Sequence, residues 1–324
     1  MKTRTFGRLG EVSALTIGGG GIGQGWGPTD RIESIATLEA AVDAGITLID
    51  VAPSYESPTA PREAEHVVGA TFNGKLPAGV RILTKVSVED ARPDELRRTI
   101  RESLRESLHT MQLDRVDILL HHAYLRPARL AYSPPTLALE QFREVVRPEF
   151  EALREDGIIG DWGLTATGHP EAVLEVLAES PQPAVIQTVT NALDSPGSLW
   201  TFGDSELPDN LSTRVLAATV GVGVMGIRAV QAGALTDSLD RDLPASDPDR
   251  RDFDRASGFR ALARRRGEPA AVLAYRYALS MTNVDTVILG VKNRAELLDA
   301  LAAETAGPLS DGEMNEVHTS IGTR

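Results

Sequence analysis

The 324-residue sequence contains no cysteine, which excludes disulfides and thiolate metal sites. It has no apolar run long enough to span a bilayer. Its first residues, Met1-Lys2-Thr3-Arg4-Thr5, lack the apolar core of a secretory signal. These absences predict a cytoplasmic protein with no membrane partner. Positive charge is also short. A formal net charge of -13 repels nucleic-acid phosphates and anionic lipid, so no nucleic-acid partner is expected. The clusters Arg250-Arg251 and Arg264-Arg265-Arg266 read as solvated faces. Lysine is the rare cation, found only as Lys2, Lys75, Lys85 and Lys292, so the position of each one carries information.

Hydrophobic residues make up 42% of the chain and charged residues 24%, which is ordinary for a globular protein built on one large core. Thr3 to Ile17 holds two short alternating runs broken by Gly7 and Gly10, the pattern of a hairpin. After Leu15-Thr16-Ile17 comes a glycine-rich loop, Gly18 to Gly27, where backbone can approach a ligand closely. It makes a poor Rossmann fingerprint, because Pro28-Thr29-Asp30 separates the glycines from the following helix. Helical spacing over Arg31 to Ala44 then feeds an apolar run from Gly45 to Asp50.

That alternation repeats. Helices are expected at 62–71, 93–109, 139–155, 171–178, 211–220 and 269–280. Strands are expected at 81–85, 116–120, 159–167, 184–190, 223–227 and 286–291. Tyr124 to Ala138, with Pro127, Pro134 and Pro135, reads as a loop. Eight strands alternating with helices predict an α/β fold, a (β/α)8 TIM barrel in a single domain spanning residues 1–324. An N-terminal β-hairpin precedes it. The long excursions Asn191 to Asn210 and Gln231 to Glu268 follow strands six and seven, where such barrels build their binding sites.

Four chemistry-bearing residues fall at the carboxyl ends of successive strands. The run Ile46-Thr47-Leu48-Ile49 closes on Asp50, with Tyr55 five positions later in Asp50-Val51-Ala52-Pro53-Ser54-Tyr55. Arg81-Ile82-Leu83-Thr84 closes on Lys85, and Val116-Asp117-Ile118-Leu119-Leu120 on His121 and His122. In a parallel barrel these ends converge on one face. Successive strand residues face opposite ways, so the two histidines diverge and make a poor zinc pair. No metal site is expected.

The order and spacing of Asp50, Tyr55, Lys85 and a histidine after the fourth strand resemble the aldo-keto reductase superfamily, over nearly the whole chain. The resemblance implies a catalytic tetrad of Asp50, Tyr55, Lys85 and His122, since its histidine falls five residues after Asp117; His121 is then structural. It implies hydride transfer between NAD(P)H and a small carbonyl or alcohol substrate, with Tyr55 as general acid/base. The hairpin is expected to plug the barrel bottom. Gln187 matches the residue that binds the nicotinamide amide. Thr165 stands in for a serine, Ala166 replaces an asparagine, and Arg228 is placed to approach the pyrophosphate. Lys292, Asn293 and Arg294 fall where the adenosine phosphate binds at a helix start, which favours NADP (NADPH); Glu296 and Ala300 depart from the family pattern and keep NAD open.

Other functions also fit parts of this pattern. A sugar or aldose dehydrogenase uses the same tetrad in the oxidative direction. A regulatory subunit would keep barrel and cofactor without turnover. An aldolase-type Schiff base at Lys85 needs a lowered lysine pKa, which Asp50 opposes.

Overall fold

The computed structural model describes residues 1–130, 136–203 and 206–322. Two short antiparallel strands, β1 (Thr3–Thr5) and β2 (Glu11–Ser13), form the expected hairpin. The barrel begins with β3 (Leu15–Gly18), β4 (Leu48–Asp50), β5 (Arg81–Val86) and β6 (Val116–His121). An outlying parallel pair follows, β7 (Tyr124–Arg126) and β8 (Thr136–Ala138). Then β9 (Ile159–Thr165), β10 (Val185–Val189), β11 (Gly223–Ile227) and β12 (Thr286–Leu289) close the ring against β3. All eight barrel strands are parallel and follow chain order, with helices between them, which is the (β/α)8 TIM barrel.

The pleat sorts side chains into two layers. Leu48, Leu83, Ile118, Leu120, Val185 and Met225 point inward and pack with Phe6 of the hairpin turn. Phe6 is fully covered and fills the barrel floor. Arginines fasten the hairpin to that end. Arg4 donates to the carbonyls of Leu279 and Val284, Arg8 to those of Gln182 and Pro183, and Arg81 to those of Leu9 and Glu11. The alternate residues, such as Ile49, Ile82, Leu119 and Ile186, face outward and form the main core against the helices.

Four expectations need correction. The glycine-rich stretch is a short helical turn, Gly19–Ile22, followed by turns, rather than an open loop. Its glycines serve close packing: a Cβ on Gly21 would lie 2.0 Å from the Val291 carbonyl oxygen, and one on Gly23 2.5 Å from that of Tyr55. The stretch from Tyr124 to Ala138 contains β7 and β8, tied by Arg126 to Thr136 and Asp90; Pro134 and Pro135 lie outside the described residues. The excursion after β11 carries two helices, Pro248–Arg255 and Ser257–Arg266. A last helix, Asp311–Ile321, was not foreseen, although Ser310 and Glu313 form a capping box at its start.

The helix from Leu139 to Glu155 departs from regularity at Phe142–Val146, a π-helical segment immediately before Arg147-Pro148. Proline has no N–H to continue the ladder. The bulge carries Phe142, which packs on both His121 and Trp162.

Candidate active site

Residue parity places the site. Leu48 and Leu83 face the barrel interior, so Asp50 and Lys85, two positions further along their strands, face it as well. Lys85 Nζ donates to Asp50 Oδ1 at 2.5 Å, to the Val51 carbonyl at 3.1 Å and to Tyr55 Oη at 3.0 Å. It also lies 4.3 Å from the Tyr55 ring centroid. Both members of the ion pair are buried.

Burial pushes the Asp50 carboxyl up, and Lys85 draws it back. Burial opposes the Lys85 charge, but Asp50 and Tyr55 outweigh it and raise the ammonium overall. Three oxygens surround Nζ, and an ammonium has three N–H groups to meet them, so the pair is Lys85⁺ and Asp50⁻. Burial raises the Tyr55 phenol, with Lys85 opposing, so Tyr55 is a neutral phenol around pH 7.

His122 also follows from parity, since Ile118 and Leu120 point inward. Its ring meets Tyr55 edge to face, with centroids 5.8 Å apart at 89°. Its Nδ1 lies 3.4 Å from Ser54 Oγ. Burial, reinforced by Lys85 and then His121, holds its pKa well below the ordinary value, so the imidazole is neutral. His121 points the other way, into the outer core, 5.6 Å from the Phe142 ring. Neither of its ring nitrogens has a well-formed hydrogen bond, and burial lowers its pKa to about 4, the Val88 backbone opposing.

Gln187 is buried midway along β10, in register with Thr165 at the end of β9. Its Nε2 and the second Asp50 oxygen, Oδ2, lack well-formed hydrogen bonds, although Gln187 lies close enough to draw the Asp50 pKa down. A buried amide without a settled partner fits a ligand such as the nicotinamide carboxamide. Thr165 Oγ1 donates to the His121 carbonyl at 3.2 Å, and Ala166 is buried beside it.

Arg228 does not extend as a free cation. Its guanidinium pairs with Asp249 and donates to Gln231 Oε1 at 3.0 Å. Asp249 also accepts from the Ser198 hydroxyl at 2.8 Å, so one carboxylate joins the two long excursions.

At the start of the helix Arg294–Ala306, each expected ligand-binding group already has a protein partner. Lys292 pairs with Asp240 and lies 3.7 Å from Glu296. Arg294 forks onto Glu33 at 3.1 and 2.8 Å, which holds Glu33 down at about 2. Asn293 caps the helix by accepting from the Glu296 N–H. The Arg294 N–H goes to Glu33 and the Lys292 N–H to Glu296.

Sequence reasoning missed Ser54, the Val51 carbonyl, Glu33, Asp240 and Asp249. The first two lay inside the motif that flagged the tetrad. The three acids come from distant segments, and no local pattern marks them. Among the described residues, no group of His, Asp and Glu is arranged to hold a metal ion. No helix there is long and apolar enough to cross a membrane.

Known proteins share this architecture. L-galactose dehydrogenase of Arabidopsis thaliana is 24% identical, over 94% of this chain and 88% of that protein. Aldo-keto reductase YhdN of Bacillus subtilis is 25% identical, over 96% of this chain and 90% of that protein. The solved holo form of aldo-keto reductase AKR11C1 from Bacillus halodurans superposes with a TM-score of 0.70, covering 99% of this chain and 96% of that one; at 21% identity this likeness speaks to the fold. The model of the Aldo/keto reductase family matches residues 14–321, and with nearly the whole barrel matched, the chain belongs to that family.

Proposed function

We propose that the protein is an oxidoreductase using NADPH or NADH, and that it moves hydride between the cofactor and a small aldehyde, ketone or sugar, with Tyr55 as general acid/base. The observation that carries this reading is Lys85 Nζ within hydrogen-bond reach of both Asp50 and Tyr55. When bound, the cofactor supplies or accepts the hydride. Tyr55 gives the proton to the substrate oxygen, and in the reverse direction takes it back. Lys85⁺ stabilises the phenolate left behind, while Asp50 keeps that ammonium charged and aimed. Neutral His122 supplies a hydrogen bond to the same oxygen. The buried Gln187 amide and Thr165 are cross-strand neighbours on β10 and β9, suited to the nicotinamide amide.

Lys292, Asn293 and Arg294 make the natural seat for a 2′-phosphate and favour NADPH. A specific observation favours NADH instead: both cations are ion-paired, and three N–H groups at this turn are taken by Glu33, Glu296 and Asn293. A phosphate there must displace carboxylates, whereas a ribose hydroxyl can hydrogen-bond to them. The Arabidopsis relative is named for L-galactose, so aldoses oxidised by the same tetrad fall within the proposal.

The test is cofactor absorbance during turnover with aldehydes, ketones and sugars, alongside quenching of tryptophan fluorescence by NADPH and NADH. Turnover that disappears in Tyr55→Phe with cofactor binding intact is expected. Cofactor binding without turnover of any panel member would favour the regulatory reading.

A further inference from the structure

We propose that Ser54 is a positioning residue for His122: its hydroxyl donates to Nδ1 and so selects the imidazole tautomer that carries its proton on Nε2. The inference deepens the oxidoreductase reading and rests on it for the meaning of the tautomer, though not for its detection. Its geometric basis is the 3.4 Å approach of Ser54 Oγ to His122 Nδ1. At that distance the contact is at the long end of hydroxyl–imidazole hydrogen bonding, so its effect is best read out spectroscopically.

The argument turns on what a neutral imidazole can do. His122 is withdrawn from water and lies near Lys85⁺, an environment that disfavours imidazolium, and its ring meets Tyr55 edge to face. A neutral ring has one N–H and one lone pair, and each nitrogen's role is fixed by its neighbour. A carbonyl oxygen presents only lone pairs, so the nitrogen facing it must bear the proton. Nδ1 must then accept, and it needs a donor. The Lys85 N–H groups are directed to Asp50, Val51 and Tyr55. Ser54 is exposed, so its hydroxyl can take a hydrogen bond from water while giving its proton to Nδ1.

The reverse polarity, with Nδ1–H donating to Ser54, would set the Nε2 lone pair against the lone pairs of the substrate oxygen. The segment Asp50 to Tyr55 therefore acts on both halves of the site. Asp50 and the Val51 carbonyl fix Lys85, Ser54 fixes His122, and Tyr55 lies between them.

The experiment uses the full-length protein labelled with ¹⁵N-histidine, comparing wild type, Ser54→Ala and Ser54→Thr. Ser54 is exposed, so the alanine variant should fold normally. The wild-type spectrum should show His122 protonated on Nε2, the alanine variant a mixture of tautomers, and the threonine variant the wild-type pattern. In kinetics, Ser54→Ala should lower kcat by about tenfold, the rate equivalent of one hydrogen bond, with KM and cofactor affinity unchanged. Ser54→Thr should restore it. An unaltered His122 spectrum in Ser54→Ala would overturn the proposal, as would a threonine variant as impaired as alanine. Absence of turnover in the wild type would count against the oxidoreductase reading instead, and the tautomer spectrum would still decide the role of Ser54.

Discussion

At the scale of single residues, the site depends on a buried charge that cannot be left alone. Lys85→Met removes the cation and strands Asp50 in the barrel interior. Breaking such a pair costs about 3–5 kcal/mol, less whatever Asp50 recovers by taking up a proton. Denaturant unfolding should therefore show Lys85→Met clearly less stable, with turnover lost, whereas Tyr55→Phe loses turnover at nearly unchanged stability. A Lys85→Met protein as stable as wild type would contradict the ion pair. His121 has a different role. Its pKa in the folded protein is about 4 against an ordinary 6.5, so the unfolded chain takes up the proton first as pH falls. Its contribution is complete above pH 6.5 and drains away as pH drops toward 4, by about 3 kcal/mol at most. His121→Leu should flatten that part of the pH dependence of unfolding free energy. Identical pH profiles for variant and wild type would disprove it. The tetrad was legible because strand ends in a parallel barrel meet, and the divergence of His121 and His122 was legible from strand parity. Which nitrogen of His122 faces Ser54 was not, since loop geometry has no period to read.

At the scale of elements, the proposed seat of cofactor choice is the start of the helix Arg294–Ala306. Its cations were visible in sequence; the acids that neutralise them come from the helix Arg31–Asp43 and from the excursion after β11. Sequence spacing holds no information about such meetings. Glu33→Gln should release Arg294 and tighten NADPH severalfold while leaving NADH unchanged, as read by tryptophan quenching. Joint Lys292→Ala and Arg294→Ala should weaken NADPH alone. Equal shifts for both cofactors would show that neither cation meets the 2′-phosphate. Glu296→Arg is a compound change, because Glu296 also accepts the Lys292 N–H at the helix start. Its expected gain for NADPH is partly offset by a lost cap worth about 1 kcal/mol. The same blindness to distant contacts explains why Pro248–Arg255 was read as loop. That helix is strongly polar, and its buried members are Asp249 and Asp252, held by Arg228 and Gln231 rather than by apolar packing.

For the whole molecule, the barrel was legible because eight apolar runs alternate with amphipathic ones, and closure leaves such a sheet no edge. The floor could not be predicted from that alternation: Phe6 lies on a non-strand residue, between β1 and a single 3-10 turn. Phe6→Ala should cost about 3–5 kcal/mol, because it empties the end of a close-packed interior. Stability measurements giving less than about 1 kcal/mol would mean the floor refills by collapse.

The hairpin's attachments also impose an order in time. Residues 3–13 are made well before the groups that hold them: Arg8 is held by the carbonyls of Gln182 and Pro183, and Arg4 by those of Leu279 and Val284. Arg81 can fasten the segment early through the carbonyls of Leu9 and Glu11, but the Arg4 attachment must wait until Leu279 and Val284 have been translated. Nascent chains stalled before Leu279 should leave the Arg4 peptide bond open to trypsin, and release of the completed chain should close it.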